Sequence, residues 1–243
     1  MQRLILPAII AISTSTAMSQ TAEPKNQAQK TAATTAKKPV KRAKRPKSQA
    51  VQYVSTATSL FNGKDFTGWK TVNPAFMDRW SVENESLVSG NLKDKIPRNT
   101  YLATTKQYQD FEFSCLFRLQ GDHATGLINS GIQYRSVIKG TKIIGYQADI
   151  GKGYWGDIYD EHRRRKLMGA DLSVLKHILK EDGWNSYTIR CKGNVHELYI
   201  NGVKTAHYVE KDPAIPAKGH IAVQIHSGGA GKVEFRNLTI TEL

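Results

Sequence analysis

Apolar and polar residues alternate with a period of two through most of the chain after residue 60, and this period is typical of half-buried β-strands. The clearest run places five apolar side chains on one face of a strand: Phe111, Phe113, Cys115, Phe117 and Leu119. The segments Tyr187–Cys191 and Ile221–Ile225 repeat the pattern. A helical period of 3.6 is almost absent, so the pattern predicts a fold made of strands.

Turn signals separate these strand-like segments. The dipeptide Asn201-Gly202 lies between two of them and predicts a tight hairpin, because both turn positions need a positive φ. One short helix is predicted, begun by Ser173, carrying Val174 to Leu179 and ended near Gly183. Many short strands with so little helix favour an all-β fold, an antiparallel β-sandwich.

Three predicted strands direct apolar groups to one side and amides, acids, Arg or His to the other. The polar sets are Asn129, Gln133 and Arg135 in the first strand, Gln147 and Asp149 in the second, and His220, Gln224 and His226 in the third. Such groups suit a hydroxyl-rich ligand, since each sugar hydroxyl both donates and accepts hydrogen bonds. We therefore expect a polar, concave sugar-binding sheet; the alternative is that these are the solvated faces of separate strands.

The first residues have the pattern of a secretory signal peptide. Arg3 precedes the apolar run Leu4–Ile12, and Ala17-Met18-Ser19 supplies small residues for cleavage. A buried N-terminal helix is the alternative, while the run is too short to span a bilayer, which takes roughly 20 residues. The prediction is a signal peptide over residues 1–19, export to the periplasm or the medium, and no membrane span.

Residues 20–58 differ in composition from the rest of the 243-residue chain. They contain nine Lys and Arg residues and a single acid, Glu23. This segment cannot bury enough apolar surface to offset the entropy of ordering it, so we predict a disordered linker. The chain as a whole has a net charge of +14, whereas residues 59–243, the predicted domain, carry about +5. Contact of the basic tail with an anionic envelope surface, or simple solubility, is favoured over nucleic-acid binding.

Several motifs of the domain occur in the order and spacing of a known family. They are Leu60–Trp69 (LFNGKDFTGW), Asn129-Ser130-Gly131 with Arg135, Gly145-Tyr146-Gln147, Trp184-Asn185, Asn201-Gly202, Gln224-Ile225-His226 and Phe235-Arg236-Asn237. The domain thereby resembles the DUF1080 family of 3-keto-glycoside 1,2-lyases and 3-keto-2-hydroxy-glucal hydratases, also called 3-keto-disaccharide hydrolases. The resemblance implies a concanavalin A-like jelly roll with its site on the concave sheet. It departs at Gln147, where many members have Glu, so the identity of the base is open.

The chemistry that this resemblance implies needs a base, an acid and donors to an enolate oxygen, because a C3 keto group acidifies the proton on C2. Asp149 is the first candidate for the base, although an acid paired with Arg135 would have a structural role only. His226 is the candidate for a second proton-transfer group or an ordinary sheet histidine. Arg135 would stabilise the enolate or hold Asp149.

Other residues are expected to bind the sugar or to assist departure of the leaving group. Glu161 and Tyr159 are expected to enter from the loop as the acid for the leaving group; the alternative is that the loop is solvated. Trp155 can stack on a sugar or pack the loop. The remaining predicted substrate-binding residues are Asn129, Gln133, Gln147 and Gln224. An oligosaccharide or glycoside is the expected partner.

No cofactor is expected. The segment Gly151–Gly156 satisfies G-x-G-x-x-G, but it lacks the helix and acid of a dinucleotide site. No zinc-binding spacing occurs, and a calcium ion held by scattered carbonyls and acids stays open. Cys115 and Cys191 fit either a disulfide or two buried thiols. A non-catalytic glycan-binding module, tethered by the tail to the envelope, is the alternative to an enzyme.

Overall fold

Residues 57–243, the part of the chain that the computed structural model describes, fold almost entirely into antiparallel β-strands. The signal peptide predicted over 1–19 and the linker predicted over 20–58 lie outside the described residues, apart from their last two positions. Thr58, the last residue of that predicted linker, already pairs with Ile240 in a sheet.

Two sheets form the sandwich, and every strand pair in them is antiparallel. The first sheet has the order β13 (Val203–Val209), β12 (Val195–Ile200), β11 (Asn185–Lys192), β6 (Phe111–Gln120), β15 (Lys232–Glu242), β4 (Ser86–Gly90) and β3 (Trp80–Glu83), with β1 (Thr58–Ser59) also beside β15. The second has the order β10 (Arg165–Met168), β9 (Ile158–Glu161), β8 (Lys142–Gly151), β7 (Asn129–Lys139), β14 (Gly219–Ile225), β5 (Thr100–Tyr108) and β2 (Trp69–Thr71). This confirms the predicted all-β sandwich.

The core lies between the sheets and is built from the apolar sets that the alternation predicts. In β6, side chains alternate strictly between buried and half-buried along the whole strand. Phe111, Phe113 and Phe117 face the interior with no exposed surface, and Ile221, Val223 and Ile225 enclose the core from the second sheet. Aromatic and β-branched side chains favour such a pleated, one-sided burial.

The predicted hairpin is confirmed. Asn201 and Gly202 have φ angles of 51° and 78°, and they connect β12 to β13. The predicted helix is corrected: only a 3-10 turn forms, over Leu175–His177, and no side chain caps it. Leu175 is buried, but Val174 and Ile178 remain exposed, so no continuous apolar face packs against the core and stabilises a longer helix. Within residues 57–243, two further 3-10 segments occur, Pro74–Arg79 and His123–Thr125.

Both cysteines are buried as free thiols, so of the two alternatives the structure selects the thiols. They lie on neighbouring strands of the first sheet, where Cys115 pairs with Tyr187 and Cys191 with Phe111. The four-residue offset separates them by roughly 13 Å along the strands, too far for a disulfide. None of the helical segments within residues 57–243 has the length and apolar character needed to cross a membrane.

Candidate active site

The outer face of the second sheet carries polar side chains in rows that run across neighbouring strands. In one row Tyr159 of β9 pairs with Gln147 of β8, which pairs with Gln133 of β7. In the next row Asp149 pairs with Gly131. Gln224 of β14 continues this row, because it pairs with Gly131 on one side and with Tyr101 of β5 on the other. The alternation of side chains along each strand thus places these groups on one face.

This face is strongly concave. The Tyr101 hydroxyl on β5 donates a hydrogen bond of 3.3 Å to Glu161 Oε1 on β9, although β14, β7 and β8 lie between the two strands. In a flat sheet the two strands would be roughly 19 Å apart, which exceeds the reach of both side chains together. The hydrogen bond therefore exists only because the sheet curves around the polar side chains.

A cleft of about 280 Å³ lies in this concavity. Six of the predicted site residues line it: Asp149, Glu161, His226, Asn129, Gln147 and Tyr159. Sequence reasoning missed the other lining residues, which come from loops without a distinctive pattern: Asn99, Gly126, Leu127 and Tyr154. The structure thus brings the candidate base Asp149 and the candidate proton-transfer groups Glu161 and His226 into one cavity. Three of the predicted sugar-binding residues line the same cavity: Asn129, Gln147 and Tyr159.

Asp149 is held inside the cleft by a chain of side-chain amides. Gln133 Nε2 donates to Gln147 Oε1 at 2.5 Å, and Gln147 Nε2 donates to Asp149 Oδ1. Gly131 makes room for this chain, because a Cβ at its position would lie 2.7 Å from the Gln147 side chain. The amides thereby fix the direction in which the carboxyl group of Asp149 points.

The pKa of Asp149 is raised from 3.8 to about 8. Burial is the main cause, because it penalises the charged form, and the charges of Asp157 and Glu161 add to it. The hydrogen bond from Gln147 and the charge of Lys166 oppose the shift. A carboxyl group with this pKa exchanges protons near neutral pH, which is what a general acid or base requires.

His226 follows the end of β14 and presents one ring nitrogen for chemistry. Its Nδ1 lies 2.7 Å from the carbonyl oxygen of Ser227, which can only accept a hydrogen bond. Nδ1 therefore carries a proton, and in the neutral ring Nε2 has a free lone pair. The backbone N–H of His226 donates to Asn129 O at 3.0 Å, and this bond ties the histidine to β7.

Glu161 ends β9 on the opposite side of the cleft and has two side-chain partners. Its Oε1 accepts from the Tyr101 hydroxyl and lies 3.2 Å from His162 Nδ1. Burial and the charge of Glu161 raise the pKa of Tyr101. The phenol therefore stays protonated and can act as a donor across the cleft.

The structure does not bring Arg135 into the cleft. Its guanidinium group pairs with Asp110 Oδ1 at 2.9 Å and donates to the carbonyl oxygens of Gln109 and Gly193. The cause is an irregularity in the β7–β8 pairing after Tyr134, where Arg135 has a φ of 46°. The bulge breaks the alternation on which the prediction depended and turns the side chain toward the first sheet, away from Asp149.

Trp155 does not line the cleft, so it is not placed to stack on a sugar there. It is buried in the core, with its ring centroid 6.3 Å from that of Phe117. The neighbouring Tyr154, with 42% of its surface exposed, lines the cleft instead. Gln133 and Gln224 face the groove side but are fully buried, so they support the cleft rather than line it. Within residues 57–243, His, Cys, Asp and Glu side chains form no group of three or more suited to a metal ion.

Two antiparallel sheets with a cleft across the concave face define a galectin-like jelly roll, and solved structures share this architecture. The chain is similar to a protein from Parabacteroides distasonis proposed to be a glycosyl hydrolase, with 23% identity and a TM-score of 0.57 over 77% of this chain and 94% of that one. It is also similar to the carbohydrate-binding module CBM66 from Bacillus subtilis, with 14% identity and a TM-score of 0.54 over 73% and 98%. At such identities the likeness shows the fold alone.

The sequence motifs identify the family more narrowly than the fold does. The chain belongs to the family of 3-keto-alpha-glucoside-1,2-lyase-like domains, which it matches over residues 56–241. This confirms the resemblance drawn from the motifs. No curated protein matches the chain.

Proposed function

We propose that the protein is an enzyme that cleaves 3-keto-glycosides between C1 and the glycosidic oxygen, with Asp149 as the base. The observation that carries the proposal is the buried Asp149 carboxyl group in the cleft, whose pKa of about 8 suits proton transfer near neutral pH. Membership of a lyase-like family supports the same chemistry.

The reaction proceeds by elimination and needs no redox step. The ionised base takes the proton from C2, and the electrons of the C–H bond form an enolate with the C3 carbonyl. The enolate collapses to a C1–C2 double bond and expels the group at C1, which takes up a proton as it leaves. Addition of water, with hydroxyl to C1 and a proton to C2, converts the resulting glycal to the free 3-keto sugar.

The cleft offers groups for the remaining proton transfers. Glu161 and His226 line it together with Asp149, so either one, in its protonated form, can donate a proton to the leaving oxygen. Amide and hydroxyl donors are the groups left to stabilise the enolate, because the Arg135 guanidinium is engaged elsewhere. Asn129 and Tyr159 are the donors in the cleft whose sequence patterns predict sugar contacts.

The rival is a glycan-binding module without catalysis, and the observation that favours it is the shared fold of the carbohydrate-binding module. Both functions use a polar concave cleft. They differ in whether a bound sugar loses its C2 proton.

Proton NMR of the purified protein with a 3-keto-disaccharide in heavy water separates the two functions. We expect loss of the C2 proton signal and release of the C1 group from the keto substrate, and no change in the unoxidised disaccharide. With the variant Asp149→Asn, we expect the keto substrate to keep its C2 proton and its C1 group. The control variant Asp78→Asn, changed at an exposed site, is expected to behave as the parent protein. If the sugar signals shift on binding but the C2 proton and the C1 group are both retained, the protein is a glycan-binding module and the proposed enzyme function is wrong.

We also propose that the protein acts outside the cytoplasm, on the basis of the signal-peptide pattern in residues 1–19. The measurement is the N-terminal sequence of the protein recovered from cell fractions. A start near Gln20 in the exported fraction is expected, whereas an intact Met1 in the cytoplasm would contradict export.

A further inference from the structure

A second cavity, of about 470 Å³, adjoins the cleft. Asn99 and His226 line both cavities, so a group that leaves the cleft on the His226 side enters the second one directly. Its volume is in the range of ligand pockets in general. A sugar whose C2 lies at Asp149 thus has adjacent space for the substituent on C1.

The lining of this second cavity is basic and aromatic. Arg98 comes from the segment before β5, Lys142 begins β8, and Phe76 belongs to the 3-10 segment Pro74–Arg79. His162, directly after β9, adds an imidazole ring to the lining. No Asp or Glu of the described residues lines this cavity, and the carboxylate at its edge, Glu161, is already bonded to His162 and Tyr101.

Among the described residues, Arg98 and Lys142 are also without ion-pair partners, as are Lys70, Lys139 and Arg165 of the same sheet, whereas two other cations of the sheet are paired. Lys106 pairs with Glu242 and Lys166 with Asp157, each at 2.5 Å. Within residues 57–243, neither Arg98 nor Lys142 has a carboxylate within ion-pair distance. Two cations from separate elements therefore face one cavity with their charges unneutralised, and this arrangement favours an anion between them.

We propose that this cavity binds the leaving group and that the preferred substrates are 3-keto-glycosides whose C1 substituent carries an anionic group, such as a carboxylate. The inference rests on the proposed function, because it takes the cleft to hold the 3-keto ring. Arg98 and Lys142 bind the anion, and Phe76 and Tyr101 offer apolar surface to the body of the leaving group.

The test compares two leaving groups of the same shape that differ in charge. The substrates are the 3-keto-glucosides of 4-hydroxybenzoate and 4-hydroxybenzamide, and kcat/KM is measured for each. We expect the benzoate to be preferred by about tenfold at low salt, the effect of two exposed charges at short range. The preference should shrink as sodium chloride screens the charges.

Variants assign the preference to the cavity. The double variant R98Q/K142Q is expected to cleave both glycosides at the rate of the benzamide compound. The matched control K192Q removes an exposed charge from the first sheet and should keep the full preference. If R98Q/K142Q still prefers the benzoate compound, the cavity is not the source of the preference. The same conclusion follows if K192Q abolishes the preference.

The outcomes distinguish the two proposals. Equal cleavage of both glycosides overturns the inference and leaves the proposed function intact. If neither glycoside reacts, the proposed function fails, and calorimetric affinities of the two glycosides for the full protein then decide the inference by the same charge comparison.

Discussion

Burial and the nearby charges of Asp157 and Glu161 raise the pKa of Asp149 to about 8, and a single side-chain hydrogen bond, from Gln147, is too weak to offset them. A base must be ionised to remove a proton. We therefore expect kcat/KM to rise about tenfold per pH unit below pH 8 and to level off above it, because the ionised fraction follows that course. The measurement is a pH profile of the parent protein; a flat profile between pH 6 and 9 would contradict Asp149 as the base.

The same residue also links pH to stability. The folded-state pKa lies above the unfolded value, so the folded form keeps the proton between about pH 4 and 8 while the unfolded form has lost it. The contribution of Asp149 to the free energy of unfolding is therefore fully present below pH 4 and is lost as the pH rises through 8. We expect Asp149→Asn to lower activity at least about a hundredfold. It should raise the free energy of unfolding by about 2 kcal/mol or more at pH 9, with little effect at pH 4.

Urea unfolding at both pH values, with Asp78→Asn as the control, measures the stability effect. Equal stability of Asp149→Asn and the parent protein at pH 9 would show that the carboxyl group is more solvated than its surroundings indicate.

Gly131 has no side chain, and the space this leaves is occupied by Gln147 in the hydrogen-bonded chain from Gln133 to Asp149. In Gly131→Ala the new Cβ would lie 2.7 Å from Gln147, which must move and release Asp149. We expect kcat to fall about tenfold or more while the protein stays folded, since one hydrogen bond that orients the base is lost. Gly169→Ala is the control, because its nearest neighbouring atom is 3.9 Å away. Parent-like kinetics in Gly131→Ala would show that Gln147 does not orient the base.

At the scale of elements, the connection between β8 and β9 has a buried anchor and an exposed contact side by side. Trp155 packs on Phe117 in the core, whereas Tyr154 lines the cleft. We expect Trp155→Ala to lower the free energy of unfolding by about 3–5 kcal/mol. Tyr154→Ala should leave stability unchanged and raise KM. Denaturant unfolding and steady-state kinetics on both variants test this division, and the reverse assignment of effects would contradict it.

The bulge in β7 is the reason why the sequence pattern predicted the wrong direction for one side chain, Arg135. Alternation predicts Asn129, Gln133 and Arg135 on one face, and it holds for the first two. It fails at Arg135, because the register shifts after Tyr134 and the chain adopts a positive φ there. A bulge depends on the pairing with the neighbouring strands, and the residues of β7 alone give no signal for it.

At the scale of the whole molecule, the two sheets enclose both cysteines completely. Burial raises the pKa of Cys115 and Cys191, so neither forms a thiolate at neutral pH. We expect both thiols of the native protein to resist a thiol reagent and to react once guanidinium chloride unfolds it. We also expect the melting temperature to be independent of added reductant. Rapid labelling of the native protein would show that the sandwich opens more readily than its burial implies.

The pattern of residues along the chain is enough to predict the all-β fold, the apolar sets of the core strands and the Asn201-Gly202 hairpin, because period-two burial and positive-φ turns are local properties of consecutive residues. It also placed Asp149 and Gln147 on a polar face and identified the family from its motifs. The folded molecule was needed to show that the sheet curves until Tyr101 contacts Glu161, that the Arg135 side chain lies outside the groove and that Tyr154, not Trp155, lines the cleft. These outcomes depend on contacts between residues far apart in the chain, through strand register, sheet curvature and burial.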